Sequence, residues 1–121
     1  MISHYKELLF WKTAQEATIA VINLCRRLPR ERVADILSSQ VIRSAASVGA
    51  NIAEGFGRYK GKEYQRFLQI ALGSANETDY WLVLLKDTYP VFSKEIDIII
   101  QKNMETIKML AKSLHTLRSK A

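Results

Sequence analysis

The sequence predicts an all-α fold, an up-down-up-down antiparallel four-helix bundle that occupies residues 1–121 as a single domain. Three observations lead to this prediction. Apolar residues recur at three- and four-residue steps through four long segments, which is the spacing of one helix face. Only two prolines and five glycines occur, too few for a fold made of many turns. The segments are separated by a few residues each, so consecutive helices must be antiparallel neighbours.

The first two helices are bounded by proline and glycine signals. The first is predicted over residues 5–27 and ends before Pro29, because proline disfavours helical geometry in the residue that precedes it. The second begins at Arg32 or Val33. We expect Gly55 to end it in the left-handed conformation that commonly follows a helix.

The third and fourth helices form the second half of the chain. The third starts within residues 60–63 and continues to about Thr88, and Pro90 closes it. Apolar residues surround most of this helix, which is typical of a helix buried on several sides. The fourth is predicted from Ser93 to Leu117, with the Ser93 side chain as its N-cap.

Small residues are expected to bring the second and third helices close together. With a turn over residues 56–59, residues whose numbers sum to about 117 face one another. This register pairs Ala45, Ala46 and Gly49 with Ala71, Gly73 and Ala75. A glycine inside a helix costs about 1 kcal/mol relative to alanine, so close packing must offset that loss. The predicted role of this seam is core packing.

A polar stripe on the second helix is the candidate for an ion-pair network, either within this hairpin or between subunits. A carboxylate in the last turn of a helix opposes the helix dipole, so Glu54 is expected to have a cationic partner, Arg58 or Arg66. A catalytic pair of Glu54 with Glu77 is excluded, because the two carboxylates lie far apart along the hairpin. The predicted network comprises Gln40, Arg43, Asn51, Glu54, Arg66 and Glu77.

The residue types that carry most enzyme chemistry are few. The histidines are His4 and His115, near the chain ends, and the Glu-x-x-His motif of di-iron bundles does not occur. The one cysteine, Cys25, supplies neither a zinc site nor an internal disulfide. We therefore expect no enzyme activity, no metal and no cofactor. The single cysteine, a polar N-terminus and short apolar runs favour a cytoplasmic protein that does not enter the membrane.

The chain is basic, with a formal net charge of +6 and a pI of about 9.6. Such a balance favours polyanionic partners. The path of an up-down-up-down bundle brings the second turn and both termini to one end, where many cations gather. The candidate nucleic-acid contacts are Arg58, Lys60, Lys62, Arg118 and Lys120, with Tyr59 as a stacking surface. The alternative interpretation is that these cations only solvate helix ends.

Several sequence blocks resemble one protein family over nearly the whole chain. They are Leu9-Phe-Trp-Lys-Thr-Ala-Gln15, Leu28-Pro29, residues 40–58 and residues 64–77, and the most specific are Asn51-Ile-Ala-Glu-Gly55 and Gly73-Ser-Ala-Asn-Glu77. The chain is identified by them as resembling the 23S rRNA intervening-sequence proteins, a family related to the accessory variability determinant proteins of diversity-generating retroelements. The resemblance implies a four-helix bundle that assembles as a homopentameric ring, and association with RNA and a reverse transcriptase. It brings no catalytic residues.

We therefore expect a non-enzymatic, basic homo-oligomer, a pentamer by resemblance, that binds RNA or another nucleic acid, with an accessory role beside a reverse transcriptase as one setting. The alternative is a protein-interaction scaffold or adaptor that does not bind nucleic acid.

Overall fold

A computed structural model describes residues 2–58 and 61–120, and it contains four antiparallel helices and no strand within those ranges. The helices are α1 (Leu9–Cys25), α2 (Arg32–Phe56), α3 (Gly61–Thr88) and α4 (Ser93–Ser119), with short 3-10 turns at Tyr5–Glu7 and Pro90–Phe92. Each helix packs against two others, in the closed order α1–α2–α3–α4–α1. The predicted up-down-up-down four-helix bundle is confirmed.

The bundle has two ends. The distal end holds the α1–α2 and α3–α4 connections, which are joined by an Arg27–Glu95 ion pair and by a hydrogen bond from the Tyr89 hydroxyl to Glu31. The terminal end holds both chain termini and the α2–α3 connection. None of the helices within the described ranges contains an apolar run long enough to cross a membrane.

The core consists of two apolar clusters stacked along the bundle axis. The distal cluster contains Val21, Leu24, Leu28, Ala34, Val41, Ala45, Leu82, Leu85, Tyr89, Ile96 and Ile99. The terminal cluster contains Phe10, Ala14, Val48, Ile52, Leu68, Ala71, Ala75, Leu110 and Leu114. Every helix contributes to both clusters, so the apolar periodicity of the sequence corresponds to the buried face of each helix.

A polar belt separates the two clusters, with one side-chain hydrogen bond across each of the four helix interfaces. The four bonds are Thr13–Thr106 at 2.7 Å, Thr18 to the Ala45 carbonyl at 3.0 Å, Ser44–Thr78 at 2.8 Å and Asn103 to the Ala75 carbonyl at 2.9 Å. No buried side-chain nitrogen or oxygen in the described part of the chain lacks a partner. A satisfied buried polar group is stable in one helix alignment and costs free energy in a slipped one. The belt therefore fixes the relative heights of the helices.

The predicted glycine stop at Gly55 is wrong. Helix α2 continues to Phe56, and Gly57 beyond it has right-handed helical angles. In the described residues the one positive φ is at Gly61, the first residue of α3. Gly55 is buried because α3 approaches it closely, and a Cβ there would lie 2.7 Å from the Cβ of Phe67. This glycine permits helix contact and does not end the helix.

The predicted register of α2 and α3 is wrong by about one helical turn. Ser44 faces Thr78 and Ser47 faces Ser74, so paired residue numbers sum to about 121. In this register Ala46 and Gly73 are exposed on the outside of the bundle. Gly49 is adjacent to α1, where a Cβ would lie 3.4 Å from the indole nitrogen of Trp11. The small-residue seam is therefore replaced by paired hydroxyls and the Gly55 contact.

Two predicted helix starts also differ from the structure. The segment at Tyr5–Glu7 is a separate 3-10 turn, and α1 begins at Leu9. Ser93 is the first residue of α4 and has helical angles, while the N-cap position is Phe92, which supplies no side-chain hydrogen bond. The 3-10 turn before Ser93 leads directly into the helix, so the extended residue that a serine cap requires is missing.

Candidate nucleic-acid interface

The candidate cations in the described residues all lie at the terminal end. Arg58 follows α2, Lys62 is in the first turn of α3, Arg118 is in the last turn of α4, and Lys120 follows α4. All four side chains are exposed. The two other predicted contacts, Tyr59 and Lys60, lie outside the described residues. The antiparallel path of the helices is what brings these cations to one end from separate parts of the chain.

These cations differ in how far their charge is balanced. The Arg58 guanidinium lies 3.1 Å from the Glu54 carboxylate and 5.4 Å from the centre of the Phe67 ring. Arg118 donates a hydrogen bond to the amide oxygen of Gln69, which positions the guanidinium without neutralising it. In the described part of the chain, Lys62 and Lys120 form no ion pair. Three of the four described candidates therefore keep an unbalanced positive charge.

A cleft of about 330 Å³ opens at the terminal end, with Lys112 as the cation in its lining. Leu8 and Phe10 line it from the start of α1, Tyr64 from α3, and Lys112, Thr116 and Leu117 from α4. Burial raises the pKa of the Tyr64 hydroxyl above its ordinary value, which reflects the desolvation of this side chain. We name this feature the terminal cleft. It combines an apolar interior with a lysine at its edge.

The predicted polar network is divided by the structure into separate groups. Arg43 pairs with Glu77 across α2 and α3 and also donates to the Gln40 amide oxygen at 3.0 Å. The Trp81 indole N–H donates to Glu77 at 2.8 Å. This bond and the Arg43 guanidinium together lower the pKa of the Glu77 carboxyl. We name these four residues the Glu77 cluster.

The remaining network residues do not join that cluster. Asn51 donates to the Ser47 carbonyl and hydroxyl one turn earlier in α2, and Glu54 pairs with Arg58. Arg66 lies 5.9 Å from the centre of the neighbouring Phe67 ring and makes no ion pair in the described residues. Of the two partners predicted for Glu54, Arg58 is the one that forms the ion pair.

Sequence reasoning missed Trp81 as a partner of Glu77 and missed the terminal cleft. The spacing of four residues between Glu77 and Trp81 is a helical contact distance and could have indicated the first. The cleft has no comparable signal, since Tyr64 and Thr116 come from different helices and meet only after folding.

No group of three metal-binding side chains gathers within residues 2–58 and 61–120.

Comparisons with known proteins agree with this architecture. A search of curated proteins gave no match. Among solved structures, the chain is similar to a protein from Bacteroides thetaiotaomicron VPI-5482 described as having unknown function and as a member of the S23 ribosomal protein family. The two are 31% identical, with 88% of this chain and 98% of that chain covered and a TM-score of 0.80. The model of the 23S rRNA-intervening sequence protein family matches residues 6–112. The chain therefore belongs to the 23S rRNA-intervening sequence protein family.

Proposed function

We propose that this protein is a non-enzymatic, cytoplasmic RNA-binding protein that contacts the nucleic-acid backbone with its terminal end. The observation that carries the proposal is the collection of unbalanced cations at that end, Lys62, Arg118 and Lys120 in the described residues. Binding of such cations to phosphates releases counterions from the nucleic acid, which is favourable at low salt and does not depend on base sequence.

The distal end provides a comparison within the same molecule. Its arginines include Arg27, which is paired with Glu95, and Arg26, which donates to the neutral Asn23 side chain and so keeps its charge. Arg30 and Arg32 are exposed there, but Glu31 and Asp35 lie beside them in the chain. At the terminal end Glu63 lies beside Lys62 in the same way, but the acidic residue nearest to Arg118 and Lys120 in the chain is Glu105, thirteen positions before Arg118. Acidic neighbours reduce the local positive potential, so we expect the terminal end to be the stronger attractor for a polyanion.

Two charge-matched double variants test the proposal. Lys62→Gln with Lys120→Gln removes two terminal cations, and Arg30→Gln with Arg32→Gln removes two distal ones, so both variants have the same net charge. We expect the terminal variant alone to weaken binding to a structured RNA, because it removes direct phosphate contacts. The slope of log affinity against log salt should fall by about 0.7–0.9 for each lost contact. Fluorescence anisotropy at several salt concentrations measures both quantities.

Equal losses in the two variants would contradict a terminal site, because they would mean that only net charge matters. Absence of RNA binding by the natural protein at low salt would overturn the proposal itself.

The outer face of α3 supports a second candidate function, that of an oligomeric scaffold. Ile70, Tyr80 and Val83 are exposed there at helical spacing, next to the Glu77 cluster. Exposed aromatic and aliphatic side chains beside an arginine are characteristic of protein-binding surfaces. The partners proposed for this face are further copies of the chain, a pentamer by resemblance, and a protein such as a reverse transcriptase.

Nuclease treatment separates the two functions. Affinity purification from native lysate, with and without nuclease, should lose RNA-dependent partners and keep direct ones. A protein partner retained after complete removal of nucleic acid would favour the scaffold. Loss of every partner on nuclease treatment would favour the RNA-binding protein.

A further inference from the structure

We propose that the terminal cleft receives an unpaired nucleobase of the bound strand, so that the protein prefers single-stranded or unpaired RNA to duplex. This inference rests on the proposed function and deepens it by naming the class of RNA bound. Its basis is the position of the cleft at the terminal end of the bundle and the chemistry of its lining, which includes the Lys112 ammonium and two aromatic side chains.

The size and lining of the cleft suit one planar group. A volume of about 330 Å³ is at the small end of the range for ligand pockets, which suits one base and excludes a larger folded element. Phe10 is almost fully buried and contributes to the apolar floor, and Tyr64 is half-buried with its ring in the wall. Aromatic walls of this kind bind bases by stacking, which tolerates every base because each has a π-face.

Polar groups at the edge of the cleft complete the match to a nucleotide. Lys112 and Thr116 stand one turn apart on α4, so an ammonium and a hydroxyl lie on the same side of the opening. Arg118 follows directly and is positioned by Gln69, and Lys62 precedes Tyr64 by two residues on α3. Residues two apart on a helix do not face the same way, so Lys112 is the cation at the cleft itself. Arg118 and Lys62 lie at the same end of the bundle, where they can meet phosphates further along the strand. Two carboxylates adjoin lining residues in the chain, Glu7 beside Leu8 and Glu63 beside Tyr64, and a phosphate must lie away from both.

Duplex RNA cannot use this arrangement. Its bases are stacked and paired, so none of them can enter the cleft, and recognition is confined to phosphates, 2′-hydroxyls and base edges. Unpaired loops and single strands can place a base against an aromatic side chain while the backbone follows the basic rim. The expected signature is strand binding that depends on bases as well as on charge.

The test fills the cleft without changing charge. Thr116→Trp places an indole in the opening from an exposed position, and Gln101→Trp puts the same group on the exposed side of α4 about 22 Å away as the control. The probes are a labelled oligouridylate, the same strand annealed to oligoadenylate, and inorganic polyphosphate, a polyanion without bases. Ser113→Trp fills the cleft from the neighbouring position and provides an independent second variant.

We expect Thr116→Trp to weaken oligouridylate binding about tenfold, and to leave duplex and polyphosphate binding and the control variant unchanged. Unaltered oligouridylate affinity in both filled variants, with the natural protein still binding RNA, would overturn the cleft and leave the proposed function standing. Failure of the natural protein to bind oligouridylate, duplex and polyphosphate at low salt would overturn both. Tighter binding to duplex than to the single strand would overturn the cleft alone.

Discussion

At the residue scale, the helical glycines Gly55 and Gly73 have opposite surroundings. Gly55 faces α3 so closely that a Cβ would lie 2.7 Å from the Phe67 Cβ, an atom that is fixed to its own backbone. Gly73 is exposed, with no atom within 4 Å of the place where its Cβ would be. Both lie inside helices, so alanine has the better intrinsic propensity at each position. Local packing alone decides which substitution the fold accepts.

We expect Gly55→Ala to destabilise the protein by about 1–3 kcal/mol, because α2 and α3 must move apart to admit the methyl group. Gly73→Ala should stabilise it by up to about 1 kcal/mol through helix propensity. Urea unfolding followed by circular dichroism measures both changes in the free energy of unfolding. Stabilisation by Gly55→Ala would show that the two helices are not in close contact.

A hydrogen bond to Glu31 changes the pKa of Tyr89 enough to be measured in solution. Its hydroxyl donates to Glu31 across the distal end, and this bond, together with burial, raises the tyrosine pKa to about 12. The folded state favours the neutral tyrosine, so the raised pKa adds to the free energy of unfolding. This contribution is complete below the ordinary pKa of 10 and is lost as the pH rises through about 12.

We expect one of the five tyrosines to ionise near pH 12 in the natural protein and earlier in Glu31→Gln, which removes the carboxylate charge. Ultraviolet absorbance of tyrosinate during an alkaline titration measures this difference. Identical titration curves for the two proteins would contradict the Tyr89–Glu31 contact. Tyr89→Phe supplies the control, since it should lose the late component altogether.

Helices as elements were more predictable than their ends and alignments. A stripe of apolar residues is repeated over six or seven turns of α3 and α4, so errors at single positions do not change the prediction. A helix end depends on only a few residues. Gly55 is of a residue type that often ends a helix but lies inside α2, and Ser93 is of a type that often caps a helix but is the first helical residue of α4. The register depended on the assumed centre of one turn, so a small error there displaced every pair along α2 and α3.

The candidate site was predictable where it depends on topology and unpredictable where it depends on contacts. Placement of Lys62, Arg118 and Lys120 at one end follows from the alternating directions of the helices. The sequence predicts a cationic partner for Glu54 but does not decide between Arg58 and Arg66, and the structure pairs it with Arg58. Ser44 and Thr78 interrupt apolar stripes in the sequence, and only the folded bundle reveals that they bond to each other within the polar belt.

The Glu77 cluster, which joins α2 and α3, should make the free energy of unfolding depend on pH. Folding lowers the pKa of Glu77 below its ordinary value of 4.5, chiefly through the Trp81 hydrogen bond and then through Arg43. A depressed carboxyl pKa stabilises the fold above the ordinary pKa, and the contribution is lost as pH falls through the folded value. The pair is partly solvated, so its worth is about 0.2–1 kcal/mol at most.

We therefore expect Glu77→Gln to be less stable than the natural protein at pH 7, with the difference shrinking as pH is lowered below 4.5. Urea unfolding followed by tryptophan fluorescence at a series of pH values measures the difference, and Trp81 reports directly on the cluster. Glu105→Gln, at an exposed α4 position, provides a comparison for the loss of one carboxylate. A difference that grows on acidification would contradict the depressed pKa.

At the scale of the whole molecule, the polar belt and the α3 face have complementary roles. The belt fixes helix heights from within, so each outer face presents a defined pattern to other molecules. On α3 that pattern is mostly apolar: Ile70, Tyr80 and Val83 are 39%, 57% and 42% exposed, with Gly73 and the polar Asn76 exposed between them. A ring of copies would cover such a face with a different surface of the next copy.

One charge substitution on the α3 face can test the proposed assembly. Val83→Lys places a charge within the proposed contact, whereas Ile98→Lys makes the same change at a more exposed position on α4, 68% exposed in the natural chain. We expect light scattering to give five times the chain mass of 13.8 kDa for the natural protein and for Ile98→Lys, and one chain mass for Val83→Lys. The reason is that an unpaired buried ammonium loses more hydration than the contact returns. A natural protein that is monomeric at micromolar concentration would remove the ring, and dissociation by Ile98→Lys alone would move the contact from α3 to α4.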